Sequence, residues 1–389
     1  MNAKRALNRV RVPDEQGAEE RTWDVVRSAY QYGAPRARRQ TFRRPIGVAA
    51  AAVVVASAVA LSPAGATVGR MVDRAFGVPH AARALVSLPA PGRLLVSGSD
   101  GTWIVAANGS ARRVGPWREA SWSPHGRYLA VTARNELAAV NTRGALQWSL
   151  VRRDVSDARW YSPTGYNVAY LSGNELRVVA GNGTGDLLLA RPVAHVAPAW
   201  RPDHLYELAY ITANGELMIR DSATGAKLWS ANPHTRIRQL AWSADGERLL
   251  ALSAMGADVY AADGHLVAKQ ATDDGPMTGG AISPNGRQFA IVTAGGSGAV
   301  TVYSHKAGRA FARRVLTGVK LGQVAWSPNG QWLLISWPAA DQWVFVHVSG
   351  QPHIAAVSRI SQQFSTTLIP STHVPRLEGW CCVAEGTTR

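Results

Sequence analysis

From residue 85 onward, short apolar runs alternate with polar turns at spacings that suit strands rather than helices. The runs at 127–131, 249–252, 288–292 and 331–335 are each four or five residues long and rich in Leu, Ile, Val and aromatic side chains. A second run follows, as at 136–140 or 216–219, and then a third, as at 227–229 after the turn 221–225. Between runs stand Pro, Gly, Asn and Asp, which preset or permit turn backbone geometry. The pattern predicts an all-β domain over 85–389 made of short antiparallel strands.

Each unit opens on one phrase. It first reads Ala120-Ser121-Trp122-Ser123-Pro124-His125-Gly126, then returns around Trp160, Trp200, Trp242, Ile282 and Trp326. The steps between these marks are 38, 40, 42, 40 and 44 residues. A period of about 40 residues with four strands per unit is the signature of a β-propeller blade. In the turn after the Trp, Pro fixes φ and Gly supplies a positive φ, which a tight hairpin requires. One four-stranded sheet cannot cover both of its faces, so a large side chain at a fixed place should seal each blade on its neighbour. Trp122, Trp160, Trp200, Trp242 and Trp326 are therefore expected to be packing residues.

The Trp-Ser-Pro-Asn-Gly core at 326–330 and its variants resemble the TolB-type, WD-repeat-like propeller repeats of bacteria, over about residues 85–385. The match departs from true WD repeats, because no unit ends in Trp-Asp and the pair Trp23-Asp24 lies outside the repeats. Half a unit (93–97, 102–106 and 112–114) precedes the first phrase, and Trp380 occupies the Trp position with no strands behind it. These halves predict a closing blade whose Trp strand comes from the C-terminus and whose other strands come from 93–114, seven blades in all, or six if the terminal halves pack irregularly. The stretch 358–374 reads as a long loop with a little helix.

Residues 46–68 carry no charge, and their 23 residues are enough for a membrane helix, which needs about 20. Arg36, Arg38, Arg39, Arg43 and Arg44 stand just before it, which favours a cytoplasmic N-terminus and a propeller outside the cell membrane. The rival is a cleaved signal peptide ending at Ala64-Gly65-Ala66, although a 45-residue leader is long for one. Residues 69–84 form an expected amphipathic connector, with Val68, Met71, Val72 and Phe76 at helical spacing. The tail, 1–45, is basic and polar, largely disordered by composition, with a short helix marked by Trp23, Val26 and Tyr30. That helix is a candidate dock for a cytoplasmic regulator.

The net charge of +16 raises the question of nucleic acid. The tail carries +6 of it, only five of the 42 basic residues are Lys, and no Arg-aromatic module is present, so no nucleic-acid partner is expected. A more local pattern is the set Arg118, Arg153, His195, Arg236, Arg238 and Lys320 in turns leading into the Trp strands. If those turns crowd one channel mouth, they favour an anionic partner, either an acidic protein segment or an envelope polymer. Asp154, Asp273 and Asp274 dilute the pattern. The loop Trp337-Pro338-Ala339-Ala340-Asp341-Gln342-Trp343 sets two tryptophans around an acidic turn at the same end; they either anchor a partner or pack inside.

Cys381 and Cys382 are adjacent, and are either buried thiols or a vicinal disulfide. No His pair has metal-ligand spacing, and no nucleophile elbow or Lys-bearing phosphate loop occurs; 181–185 reads as a hairpin turn. No metal, cofactor or catalytic set is expected. The sequence thus points to a non-catalytic, membrane-anchored binding platform of the propeller type. The alternative is transmembrane signalling of the anti-sigma type, with the propeller as sensor and the tail holding a cytoplasmic regulator.

Overall fold

The computed structural model describes residues 87–382, apart from 162–165, 205, 272–273, 296, 307–308, 350–352 and 365–373. The expected tail (1–45), membrane span (46–68) and connector (69–84) lie outside the described residues. Among the described residues, no helix is long and apolar enough to cross a membrane.

Seven antiparallel sheets of four strands make up the β-propeller. Blade one is Arg93–Gly98, Gly101–Val105 and Ala111–Gly115, with Arg376–Cys381 as its innermost strand. Blades two to seven begin with the innermost strands Glu119–Trp122, Val155–Trp160, Ala199–Trp200, Ile237–Trp242, Met277–Ile282 and Val324–Trp326. The C-terminal strand pairs antiparallel with Arg93–Gly98, setting Leu94 opposite Trp380 and Arg93 opposite Cys381. Seven blades, not six, close the ring, and the last described strand supplies the clasp. The helix in the long loop is a single turn, Ile360–Gln363.

The opening phrase is legible atom by atom in blades six and seven. In blade seven the Ser327 hydroxyl donates to Asn329 Oδ1 at 2.6 Å and accepts from the Trp332 N–H at 2.9 Å. Ser283 does the same with Asn285 and Gln288 in blade six, at 2.9 and 3.0 Å. Gly330, at φ +68°, donates its N–H back to the Ser327 carbonyl at 2.8 Å. The recurring Ser, Asn or Asp and Gly are thus one hydrogen-bonded turn that delivers the chain into the second strand.

The buried apolar side chains fall into seven clusters, one at each joint between neighbouring blades. Strand alternation distributes them: Leu94 and Val96 face blade seven, whereas Leu95 faces blade two. Every marked residue, from Trp122 through Ile282 to Trp380, packs into the cluster it shares with the preceding blade. Two also reach across by hydrogen bond: Trp200 Nε1 donates to the Arg159 carbonyl at 2.9 Å and Trp326 Nε1 to that of Ala281 at 3.1 Å. Burial of one such side chain contributes roughly 1.5–3 kcal/mol, so the phrase stabilises each joint as well as its own hairpin.

Candidate binding surfaces

Strand direction sorts the loops into two ends. The upper end carries the turns that lead into each innermost strand together with the hairpins between second and third strands. The lower end carries the Ser-Pro-x-Gly turns and the hairpins between third and fourth strands.

Arg118, Arg153, His195, Arg236 and Lys320 are all exposed at the upper end, in turns spread around the ring. Arg238 is exposed too, but it belongs to the innermost strand Ile237–Trp242 rather than to a turn. It falls at a register shift between Ile237 and Gln239, a bulge that breaks strict alternation along the channel wall. Of the basic set, the structure brings His195 and Arg236 into one groove of about 670 Å³. This groove runs over the blade-four hairpin between the turns on either side of that blade. Its lining adds His234 and the amides of Asn214 and Asn232, and among the described residues includes no carboxylate. Asp274, one of the diluting acids, is engaged by Arg314.

The 337–343 loop is turned inward. Trp337 is 6% exposed and donates Nε1–H to the Val319 carbonyl at 3.0 Å, while Trp343 is fully buried against Phe364. Gln342 is buried as well and donates to Ser358 Oγ at 3.0 Å. The Asp341 carboxylate accepts from the Ser361 N–H and hydroxyl, both at 2.7 Å. Of the two readings of this loop, packing describes both rings, since neither is displayed at the surface. The physical reason is register: Trp337 and Gln342 are paired ends of adjacent strands, so the turn between them holds only Pro338–Ala340 and one αL residue, Asp341.

A set of polar side chains on the innermost strands escaped the sequence reading. Three residues before the marking Trp, an acceptor side chain takes a backbone N–H of the next blade. Glu119 accepts from Asp157 at 2.7 Å, Gln239 from Gly280 at 3.2 Å and Gln323 from Leu377 at 2.9 Å. Gln239 also donates to the Gly280 carbonyl at 2.6 Å. Aligning the phrases shows Glu119, Gln239 and Gln323 at one offset, which is the sequence signal for this tie. Beside Glu119, Arg376 bridges it at 3.7 Å to Glu378 at 2.6 Å. Burial pushes the Glu378 carboxyl above the usual carboxylate range, against the opposing pull of Arg376 and Arg159.

At the outer joint between blades two and three, Asp186 gathers three donors. Arg152 Nε stands 2.9 Å away, Arg177 Nη2 2.9 Å and the Tyr170 hydroxyl 2.6 Å. Burial alone would raise this carboxyl, but the hydrogen bonds from Arg177, Tyr170 and Arg152 outweigh it and hold it below its ordinary value. Burial together with Asp186 pushes Tyr170 upward. The group is saturated and reads as a structural tie.

Cys381 and Cys382 form a vicinal disulfide at the end of the closing strand, with Cys382 at φ +60°. Cys382 Sγ stands 3.6 Å from the Pro124 carbonyl oxygen in the blade-two turn. Among the described residues, no group of three or more His, Cys, Asp or Glu side chains is placed to hold a metal ion.

No protein-family model and no curated protein matches this chain. Solved structures do. A chain of KlHsv2 with its loop 6CD replaced by a Gly-Ser linker is similar over 69% of this chain and 95% of its own, at 12% identity and a TM-score of 0.56. A protein of Bacteroides uniformis assigned as a 6-phosphogluconolactonase covers 69% and 98%, at 13% identity and 0.52. A chain of a mitotic checkpoint complex covers 68% and 95%, at 14% and 0.51. At such identities the likeness speaks for the propeller fold and for nothing finer.

Proposed function

We propose that this propeller is a non-catalytic binding platform for an anionic partner, engaged at the upper-end groove that His195, His234 and Arg236 line. The observation that carries the reading is the make-up of that lining: one arginine, two histidines, two amides and, among the described residues, no carboxylate. Such a concavity favours negative charge before any specific contact forms. Propellers commonly serve as interaction platforms, which supports a partner of macromolecular size. The uncharged segment 46–68 behind an arginine cluster supports anchoring in a bacterial cell membrane with the propeller outside, in the manner of the TolB-type repeats it resembles. There the anionic partner is an acidic protein segment or an envelope polymer.

The test is a titration of the full-length protein with poly-L-glutamate and with a glycerol-phosphate oligomer, using Arg236→Ala and His234→Ala. Salt-sensitive binding that each substitution weakens supports the reading; binding that neither changes overturns it. The signalling alternative rests on the helical spacing of Trp23, Val26 and Tyr30 in the tail. A pull-down with the tail alone that retains no cytoplasmic protein argues against it.

A further inference from the structure

The joint between blades three and four repeats the donors of the Asp186 tie without its carboxylate. Around Asp186, Tyr170 and Arg177 come from paired strands, and Arg152 follows the outermost strand of the preceding blade. Blade four sets Tyr210 where blade three has Tyr170, in Leu208-Ala209-Tyr210 against Val168-Ala169-Tyr170. Arg191 follows the outermost strand of blade three as Arg152 follows that of blade two. Arg220 stands two residues beyond Met218, the register partner of Tyr210, and so on the same face of the sheet. The acceptor is what differs. Asp186 lies in a segment, 184–190, that reads Thr-Gly-Asp-Leu-Leu-Leu-Ala, whereas 224–231 of blade four reads Thr-Gly-Ala-Lys-Leu-Trp-Ser-Ala.

A groove of about 400 Å³ opens at this joint, lined by Tyr210, Arg191 and Arg220 together with Leu188, Leu189 and Met218. That size is within the range of small-molecule sites, roughly 300–1,000 Å³. Arg220 Nη1 donates to the Leu189 carbonyl at 3.2 Å, but Nε is buried without a hydrogen-bond partner. Among the described residues no carboxylate pairs with Arg220, whereas the buried arginines Arg177 and Arg201 hold Asp186 and Glu207, both at 2.9 Å. Arg191 is largely exposed and reaches Glu175 at 3.6 Å. Glu216, the acidic group that acts on Tyr210, is itself held by Lys227 at 3.5 Å. Burial raises the Tyr210 hydroxyl above its ordinary value, with Arg220 pulling against it, so at neutral pH it stays protonated and can donate.

We propose that this groove binds a small aliphatic carboxylate, with its oxygens on Arg220 and the Tyr210 hydroxyl and its chain on Leu188, Leu189 and Met218. A guanidinium drawn out of water without an acceptor costs free energy. A carboxylate offsets that cost, because its two oxygens match the paired N–H groups of the guanidinium in shape and charge. Asp186 shows the same chemistry satisfied from within the chain, one joint earlier. A single charge fits better than a doubly charged phosphate, since the second arginine, Arg191, already stands beside Glu175. The proposal stands apart from the upper-end reading: Thr212 borders both grooves, but no basic side chain is common to them.

The experiment is calorimetric titration of the full-length protein with valerate. Valeramide is the neutral arm of equal shape, inorganic phosphate the second anion and poly-L-glutamate the polypeptide arm. Valerate is expected to saturate in the millimolar range, and valeramide to show no binding. Arg220→Met should weaken valerate about tenfold, or about 1.4 kcal/mol, and Tyr210→Phe by a smaller factor. Bound valerate should raise the melting temperature of the parent protein but not that of Arg220→Met, a readout that repacking of the joint alone does not give. Should Arg220→Met fail to fold, Tyr210→Phe, which keeps the buried ring, carries the test. Arg236→Ala at the upper end should leave valerate binding unaltered, so that failure here and failure of the upper-end reading are distinguishable. The proposal is overturned by no saturation with valerate, by equal affinity for valeramide or phosphate, by binding of poly-L-glutamate at Arg220 instead, or by valerate binding that neither variant changes.

Discussion

Two joints of the ring hold by different means. Between blades seven and one the contact is aromatic: Trp343 and Trp103 both meet Phe364, at 5.4 and 5.9 Å, and Phe345 meets Trp380 edge-on at 5.7 Å. Between blades two and three the apolar cluster mixes small residues, Ala130, Ala158, Val155 and Val179, with Leu137, Tyr170 and the half-buried Trp148 and Trp160. There the joint is completed by charge, with Asp186 tied to Arg152, Arg177 and Tyr170. The first joint contains the strand whose pairing closes the ring. The aromatic contacts there contain no titrating group, whereas the second joint depends on one carboxylate staying ionised.

Removing the largest ring should separate the joints most clearly. Trp343→Ala is expected to cost about 3–5 kcal/mol in denaturant unfolding, as large-to-small changes at fully buried aromatic sites do. A loss below about 1 kcal/mol would mean that the closure is held elsewhere.

Asp186→Asn should come next, at about 3 kcal/mol, since it leaves two arginines without their shared partner. Its pH signature sharpens the contrast. The Asp186 carboxyl is held low in the folded protein, so its contribution is fully present above the ordinary carboxylate value, about 3.9. It is then lost as pH falls through the lower folded value. The Asn variant should flatten that acid limb, and Trp343→Ala should keep it. An unchanged acid limb in Asp186→Asn would remove charge from the account of this joint.

The smallest of the three effects is Gly183→Ala, at about 1–2 kcal/mol. Gly183 has φ +86°, and an added Cβ would lie 2.8 Å from the Trp148 ring. A stable variant with displaced Trp148 fluorescence would show that the ring can move without loosening the joint.

The blade phrase made the fold readable in advance because its physics is local. Ser, Asn and Gly close a turn within six residues, and the Trp reports a position that every unit needs to fill. Even the clasp could be foreseen from Trp380, a marking residue with no unit behind it. The sites were less legible. His195 and Arg236 stand out in the chain as turn residues, but only the fold sets them in one groove with His234. Trp337 and Trp343 look like a surface pair in the chain, yet the register of two strands turns both inward. Arg238 reads as a turn residue in the chain, because the bulge that carries it leaves no trace in residue type.

Tyr128, Trp148 and Trp160 sit in three different strands and come together only at the joint of blades two and three. The sequence by itself determined the repeat, the strand pattern, the turn chemistry and the means of closure, because each depends on neighbours in the chain. Tertiary structure alone decided which aromatic rings remain in reach of solvent and which basic side chains share a concavity. Those outcomes depend on how adjacent blades tilt and overlap, and residues some 20–40 positions apart meet only once the ring has closed.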